Sequence, residues 1–476
     1  MFLKVFSVVT RATEVTRRHT ILPILLAIQL LVAVRVAAQT SVKQASDDTV
    51  LKQIIIFGRH GVRSPVTPNT TLATFAVRPY PNFGVPAGYL TPHGAHAETL
   101  LGSYFRGYLL KEGLLTPNNQ EDARRSYFRA NSIQRSNISA ASLAGGLLPN
   151  VSVPVYSYPL GQPDPVFDPI GANVVTVDTV RAVNEVKKIF NDGETLRSAN
   201  SAEFSLIRSV LFGYQNGIQP APSTPSGLVD PTALPIPLTA NTSGIATANV
   251  INSGGVFSTL IAADPFVMEY TDGLPLNNVG WGQLSLDTLS QQTRVINLLF
   301  DIEILPPYLN EVQSSNAASH VLRSMEQAVV GQTIPGAFGK AKTRLLVINS
   351  SDGYVIGLAG LLHLHWLLPG YQPDYCPPGG SLVFELRKSK SSGEYIVRAF
   401  YTAQTFDQLR DLTSLTLDQP PATVQLLIPN GSKSATNLDV KFGKFEQLLK
   451  KAINPKYVEN PTTEVPPGPL TGVPLQ

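Results

Sequence analysis

Residues 54–68, IIIFGRHGVRSPVTP, run from an apolar, β-branched stretch straight into Arg59, His60 and Arg63. Cations beside an imidazole disfavour its protonated form and leave the neutral ring, which is a nucleophile or a ligand. Arginine forks match the oxygens of a tetrahedral oxyanion and stabilise the equatorial charge of a phosphoryl group in transfer. With Arg135, at the end of the SYFRAN strand, as the third cation, these residue types describe a phosphate site. Neutral His60 could attack phosphorus there and carry the group covalently, splitting hydrolysis into two easier displacements. A leaving alkoxide then requires a proton. Asp352, which ends the apolar stretch TRLLVINSSDG, is the carboxyl placed to deliver it.

These residues need elements that bring them together. Residues 51–58 read as a short buried strand stopping at Gly58, with the charged motif in the loop that follows. From Pro92, apolar residues recur at helical spacing through Tyr108. SYFRANSIQR follows as a strand and polar turn, and SAASLAGGLLP as a small-residue helix ending at Pro149. Strand, loop, helix repeated in this way is the α/β pattern, which collects sites at the carboxyl ends of strands. Residues 180–215 and 283–330 read as helical, separated by a proline-rich surface excursion. The α/β signal returns with TRLLVINSSDG and the helix YVIGLAGLLHL, followed by strands SLVFEL and YIVRAFY. The fold expected is an α/β core of residues 50–189 and 336–452 with a central sheet flanked by helices. A smaller helical domain, residues 190–335, is inserted in it, and residues 453–476 are a proline-rich disordered tail.

The first 38 residues behave as a secretory leader. Four basic residues precede an apolar run of 14, Ile21 to Val34, which is short for a membrane span. An uncleaved anchor is the alternative, because Arg35 interrupts the usual pattern. Removing a leader of net +4 takes the formal +3 of the chain to −1, so the basic balance belongs to the leader. It implies no nucleic-acid partner, and no membrane partner after cleavage. The single cysteine, Cys376, excludes an intramolecular disulfide. An exported chain of this kind points to a bacterial periplasm, or to secretion.

Two histidine pairs could suggest a metal, His93 with His96 and His363 with His365. Neither has an accompanying carboxylate or thiol cluster, so the reading calls for no metal and no cofactor. His320 is expected to face solvent on its helix, and Arg124 and Arg125 to form an exposed charge run.

RHGVRSP resembles the signature of the histidine acid phosphatases, the branch of the histidine phosphatase superfamily that includes phytases. GYLTPHGAHAETLLGSYFRGYL, RANSIQRSNISAASLAGGLLP, GWG at 280–282 and TAQTFDQLRDLTSLTL are similar to family segments, in the family's order. PDPVFDP and the C-terminal run are most like the enterobacterial periplasmic phytase and glucose-phosphatase group. The resemblance covers roughly residues 50–450. It implies His60 as the nucleophile that becomes phosphohistidine, Arg59, Arg63 and Arg135 as phosphate ligands, and Asp352 as the acid. It also places Glu269, in VMEYTDG, near a substrate-pocket acid.

The chain departs from that family inside the site. Where the family reads GHDTN this sequence reads SSDGY, so Ser351 stands in place of a phosphate-binding histidine and Tyr354 in place of asparagine. Serine can donate to phosphate but carries no charge. Losing a charge-assisted donor costs about 1.5–3 kcal/mol, or roughly 10- to 150-fold in rate if all of it falls on the transition state. The expected function is an exported acid phosphatase acting on small phosphomonoesters of the phytate or sugar phosphate type, nucleotides remaining open as substrates. The alternative is a catalytically weakened phosphate- or phosphosugar-binding protein derived from this family.

Overall fold

The apolar run that opens the chain's chemistry becomes β1, Thr49–Arg59, and its burial explains why the run is continuous rather than alternating. Ile54 and Ile56 face one core while Ile55 and Phe57 face another. A strand covered on both faces has no polar face to show. A computed structural model describes residues 47–213, 224–241, 250–460 and 468 of the chain. The expected leader at 1–38, part of the proline-rich excursion and most of the expected tail lie outside the described residues.

Helix α1 (Pro92–Lys111) starts where Thr91 accepts from the Gly94 amide at 2.9 Å and Pro92 takes the first helical position. Strand β2 (Ser126–Ala130), helix α2 (Gln134–Leu147) and the short strand β3 (Val155–Tyr156) follow. The middle of the chain holds α3 (Thr179–Phe190), α4 (Ser201–Phe212), α5 (Gly255–Thr271), α6 (Leu286–Gln292), α7 (Arg294–Glu303) and α8 (Pro307–Val330). Helix α5 falls in a stretch that the sequence reading left unassigned, its apolar residues recurring all round rather than along one stripe. Then come β4 (Leu345–Ser350), α9 (Asp352–Leu361), β5 (Ser381–Ser389), β6 (Tyr395–Ala403), β7 (Ala422–Gln425), β8 (Val440–Lys441) and α10 (Phe442–Ala452). Among the described residues no helix is long and apolar enough to cross a membrane.

The main sheet runs β8-β6-β5-β1-β4-β2-β3, with β7 on β6. Pairs β1–β4, β4–β2 and β2–β3 are parallel, while β6 is antiparallel to β5, β7 and β8. The sheet is therefore mixed, with helices on both faces, and it draws strands from both ends of the chain. One face packs on α1 and α2 through residues such as Leu101, Phe105, Leu143 and Leu147. The other shares its core with the middle helices, through Phe266, Val321 and Leu322 among others. Helix α8, which the sequence reading assigned to the insertion, is bonded to the sheet, with the Gln53 amide donating to the Ser324 carbonyl at 3.3 Å.

Two expectations change here. Residues 453–460 are not free of the fold: the Asn454 amide donates to Ser315 at 3.0 Å, and Glu459 meets Asn316 and His320 on α8. His320 is accordingly buried rather than solvent-facing, with one ring nitrogen on the Gly336 carbonyl and the other 2.7 Å from Glu459. Helical periodicity placed His320 on a polar face because the segment that covers it lies 139 residues away.

Helices α1 and α2 approach closely because of glycine. A Cβ on Gly146 would lie 2.1 Å from the Thr99 carbonyl oxygen, and one on Gly102 would lie 2.2 Å from that of Leu143. Both clashes are with backbone, so no side-chain rotation relieves them. Gly146→Ala should therefore cost about 1–3 kcal/mol or more by forced overpacking. Neighbouring Gly145 meets nothing within 4 Å, and Gly145→Ala should be neutral or stabilise by up to about 1 kcal/mol. Denaturant midpoints of the two variants measure the contrast directly.

Candidate active site

The site is assembled by strand register. β1 and β4 run parallel with Arg59 opposite Ser350, so the next residues of both chains leave the sheet side by side. The ladder continues one step, the His60 amide donating to the Ser350 carbonyl at 2.8 Å. That places the Arg59–His60 loop beside Ser351 and Asp352. On the other side of β4, Ala130 of β2 pairs with Asn349, and the chain turns through residues 131–133 into α2. Arg135 lies on the first turn of that helix, not at the strand end as expected. These are the carboxyl ends of adjacent parallel strands, where open α/β sheets place their sites.

His60 is buried, and its Nδ1 lies 2.9 Å from the Gly61 carbonyl. A carbonyl only accepts, so in the neutral ring Nδ1 carries the hydrogen and Nε2 keeps its lone pair. Burial, and then the charges of Arg135, Arg59 and Arg63, hold the imidazole well below its usual range. The ring therefore stays neutral into acidic solution.

Each arginine is held separately. Arg59 is wholly buried, donating from Nη1 to the Cys376 carbonyl at 2.6 Å and pairing through Nη2 with Asp352 at 3.1 Å. Arg63 forks onto Asp264 with contacts of 2.9 and 3.2 Å. Arg135 donates to the Gly88 carbonyl at 3.2 Å. Burial, and next the Arg63 charge, push the Arg135 guanidinium down to about 10. The buried Nε–H of all three arginines has no acceptor among the described residues. Three cations thus bear on one neutral imidazole and each retains an unspent donor, an arrangement suited to a phosphoryl group.

Asp352 opens α9, and its side chain is 20% exposed against 1% for its partner Arg59. One carboxylate oxygen is held by Arg59 and the other accepts from the Gly353 amide at 3.1 Å. Ser351, the helix N-cap, makes no side-chain capping bond. Tyr354 stacks obliquely near Phe167, with ring centres 5.6 Å apart. Burial and then Asp168 raise its hydroxyl, while Arg135 acts in the opposite sense, so the ring lies within electrostatic reach of the arginine cluster.

Glu269 does not join this group. Its side chain is fully buried on α5 and accepts from the Gly280 amide at 2.8 Å. That contact braces the turn where Gly280 and Trp281 take positive φ of 49° and 56°. Burial pushes its carboxyl up to about 8. One member of each histidine pair has an ordinary partner: His93 contacts the Leu409 carbonyl at 2.7 Å, and His365 contacts Asp374 at 2.8 Å. Arg124 is exposed, and both Arg124 and Arg125 pair with Glu121.

Asp264 escaped the sequence reading. It precedes Pro265 inside α5, and nothing in AADPF distinguishes it from a surface acid. An unexplained arginine in the motif was the only signal that a carboxylate partner existed. Glu98, on α1, escaped as well, with no such signal.

Comparison with known proteins agrees with this geometry. A sequence model of the histidine phosphatase superfamily (branch 2) matches residues 50–191. The chain is 25% identical to phytase AppA of Escherichia coli (strain K12) over 428 residues, covering 87% of this chain and 94% of the relative. It is 24% identical to glucose-1-phosphatase of Providencia rettgeri, covering 80% and 86%. The structure of Hafnia alvei phytase in complex with tartrate superposes with a TM-score of 0.77 at 27% identity, over 87% of this chain and all (100%) of that one. Motif, strand order and near full-length similarity coincide, and what the chain is similar to is the histidine phosphatase superfamily, branch 2.

Proposed function

We propose that this phosphomonoester hydrolase works through a phosphohistidine at His60 and acts on phytate or sugar phosphates after export to the periplasm or beyond. The observation that carries the mechanism is the neutral, buried His60 with Nδ1 committed to Gly61 and three arginines around it. In the first step Nε2 of His60 bonds to phosphorus while the ester P–O bond breaks. Arg59, Arg63 and Arg135 hold the phosphoryl oxygens, and the Ser351 hydroxyl adds a neutral donor. Asp352, in its acid form, gives its proton to the leaving oxygen. In the second step its carboxylate takes a proton from water as that water attacks phosphorus, releasing phosphate and free imidazole.

The substrate class rests on the relatives, one named a phytase and another a glucose-1-phosphatase. The Hafnia alvei enzyme, 26% identical with a TM-score of 0.74, is also known in complex with myo-inositol hexakis sulphate. Export rests on the leader-like first 38 residues. A slower, phosphate- or phosphosugar-retaining protein is the second reading, and uncharged Ser351 is what favours it. Release of phosphate from a generic aryl phosphate separates the two.

If His60 is the nucleophile, rapid acid-free quenching during turnover should trap alkali-stable, acid-labile phosphate on the protein, and His60→Ala should trap none. Label on another residue, or unchanged turnover in His60→Ala, contradicts the assignment. Asp352→Asn should lose roughly 10²–10⁴-fold on alkyl or sugar phosphates, whose leaving groups need a proton. On an activated aryl phosphate the loss should be far smaller, and equal losses would mean Asp352 serves binding or structure. Ser351→His should restore a charged donor and tighten phosphate or vanadate binding by about tenfold, the equivalent of about 1.5 kcal/mol. Weaker binding accompanied by a lower melting temperature would instead mean that the pocket has closed around serine.

A further inference from the structure

Glu98 is a carboxyl that no described residue holds by a hydrogen bond. It lies on α1, 2% exposed, and neither of its carboxyl oxygens has a hydrogen-bond partner among the described residues. What it touches is the loop that carries His60. A Cβ built on Gly61 would meet Glu98 Cγ at 2.9 Å and Oε1 at 3.0 Å, and one on Gly379 would meet Oε1 at 3.2 Å. One of these glycines holds the His60 ring and the other its backbone. The Gly61 carbonyl takes the Nδ1 contact at 2.9 Å, and the Gly379 amide donates to the His60 carbonyl at 3.0 Å. The Gly61 amide in turn donates to Ser139 on α2 at 2.9 Å.

The surroundings of Glu98 are neutral. From α2 the loop is met by the hydroxyl of Ser139, from residues 377–380 by prolines and glycines, and from the β1 loop by neutral His60. Burial alone pushes the Glu98 carboxyl up to about 8. An ionised carboxylate in a dry site without a donor is strongly disfavoured. It can be accommodated only if backbone amides or water reach it, which requires Gly61 or Gly379 to move.

We propose that Glu98 is a positioning residue for His60: uncharged, its carboxyl packs behind the two glycines that hold the His60 ring and backbone, and on ionisation it displaces them. The inference rests on His60 as nucleophile, and it gives the enzyme a built-in alkaline limit. Acid solution keeps Glu98 protonated and the loop seated. The same contact sets a stability slope. A carboxyl that holds its proton more tightly folded than unfolded favours the fold at acidic pH, and that advantage is lost as pH rises from the ordinary carboxylate range to about 8.

The test uses an activated aryl phosphate, so that proton delivery by Asp352 does not set the profile, and compares the whole protein with Glu98→Gln across pH 5–9.5. Turnover by the unaltered enzyme should fall about fivefold between pH 8 and pH 9, as one ionisation near 8 requires. Glu98→Gln, which keeps shape but cannot ionise, should lack that limb. Its melting temperature relative to the unaltered enzyme should rise progressively between pH 5 and pH 8. Glu98→Met, also non-titrating and of similar length, serves if the glutamine variant does not fold. An alkaline limb unmoved in the folded variant overturns the proposal, and so does a melting offset that is the same at every pH, the signature of a merely structural carboxyl. Failure of the His60 reading is distinguishable, because it shows as phosphate trapped in His60→Ala whatever Glu98 does.

Discussion

A guanidinium that is 1% exposed must be satisfied from within, and the pairing of Arg59 with Asp352 is the contact around which the site is organised. It ties the end of β1 to the start of α9, while the other arm of Arg59 holds the Cys376 carbonyl. One side chain thereby links three chain segments that are far apart in sequence. Removing either partner of such a pair leaves a buried charge uncompensated, typically at a cost of about 3–5 kcal/mol. The pair is consequently a constraint on geometry more than a source of stability. It keeps the carboxyl of Asp352 beside the His60 loop, and of the two partners Asp352 is the one partly open to the outside.

The second constraint is charge balance. Three arginines crowd one imidazole, and their mutual repulsion is offset by Asp264 and Asp352, each answering one cation. Asp264 comes from α5, in the helical middle of the chain, so the middle segment completes the electrostatics of a site whose other parts come from the sheet. Among the described residues Arg135 has only a carbonyl partner, and burial, then repulsion from Arg63, weakens its hold on its own proton. An incoming phosphoryl group would relieve that repulsion, which is the physical sense in which the site is prepared for an anion.

The replacements around Asp352 alter the wall rather than the centre. Tyr354 brings a phenol toward Arg135 and Asp168, and its ring is seated on Phe167. Ser351 leaves its hydroxyl uncommitted at the helix start. Neither side chain takes part in the contacts that hold His60 and Arg59, which run to the Gly61 and Cys376 carbonyls and to the Asp352 carboxylate.

The sequence by itself determined the features that are local. RHGVRSP follows a buried strand directly, and the parallel strand ending at Ser350 announces itself by the same apolar-to-polar break, so His60, Arg59, Arg63 and Asp352 were readable from residue type and position. The small-residue character of α2 was equally visible. Tertiary structure alone decided that Asp264 faces Arg63 and that Glu98 is buried behind the His60 loop, because both sit in helices whose pattern says nothing of what covers each face. It also decided that His320 and residues 453–460 are packed together, that Glu269 braces a strained turn, and that α8 lies against the sheet. Periodicity reports which residues avoid water. It cannot report which distant segment displaces that water, since the free energy of a buried polar group depends on partners that arrive only when the chain has closed.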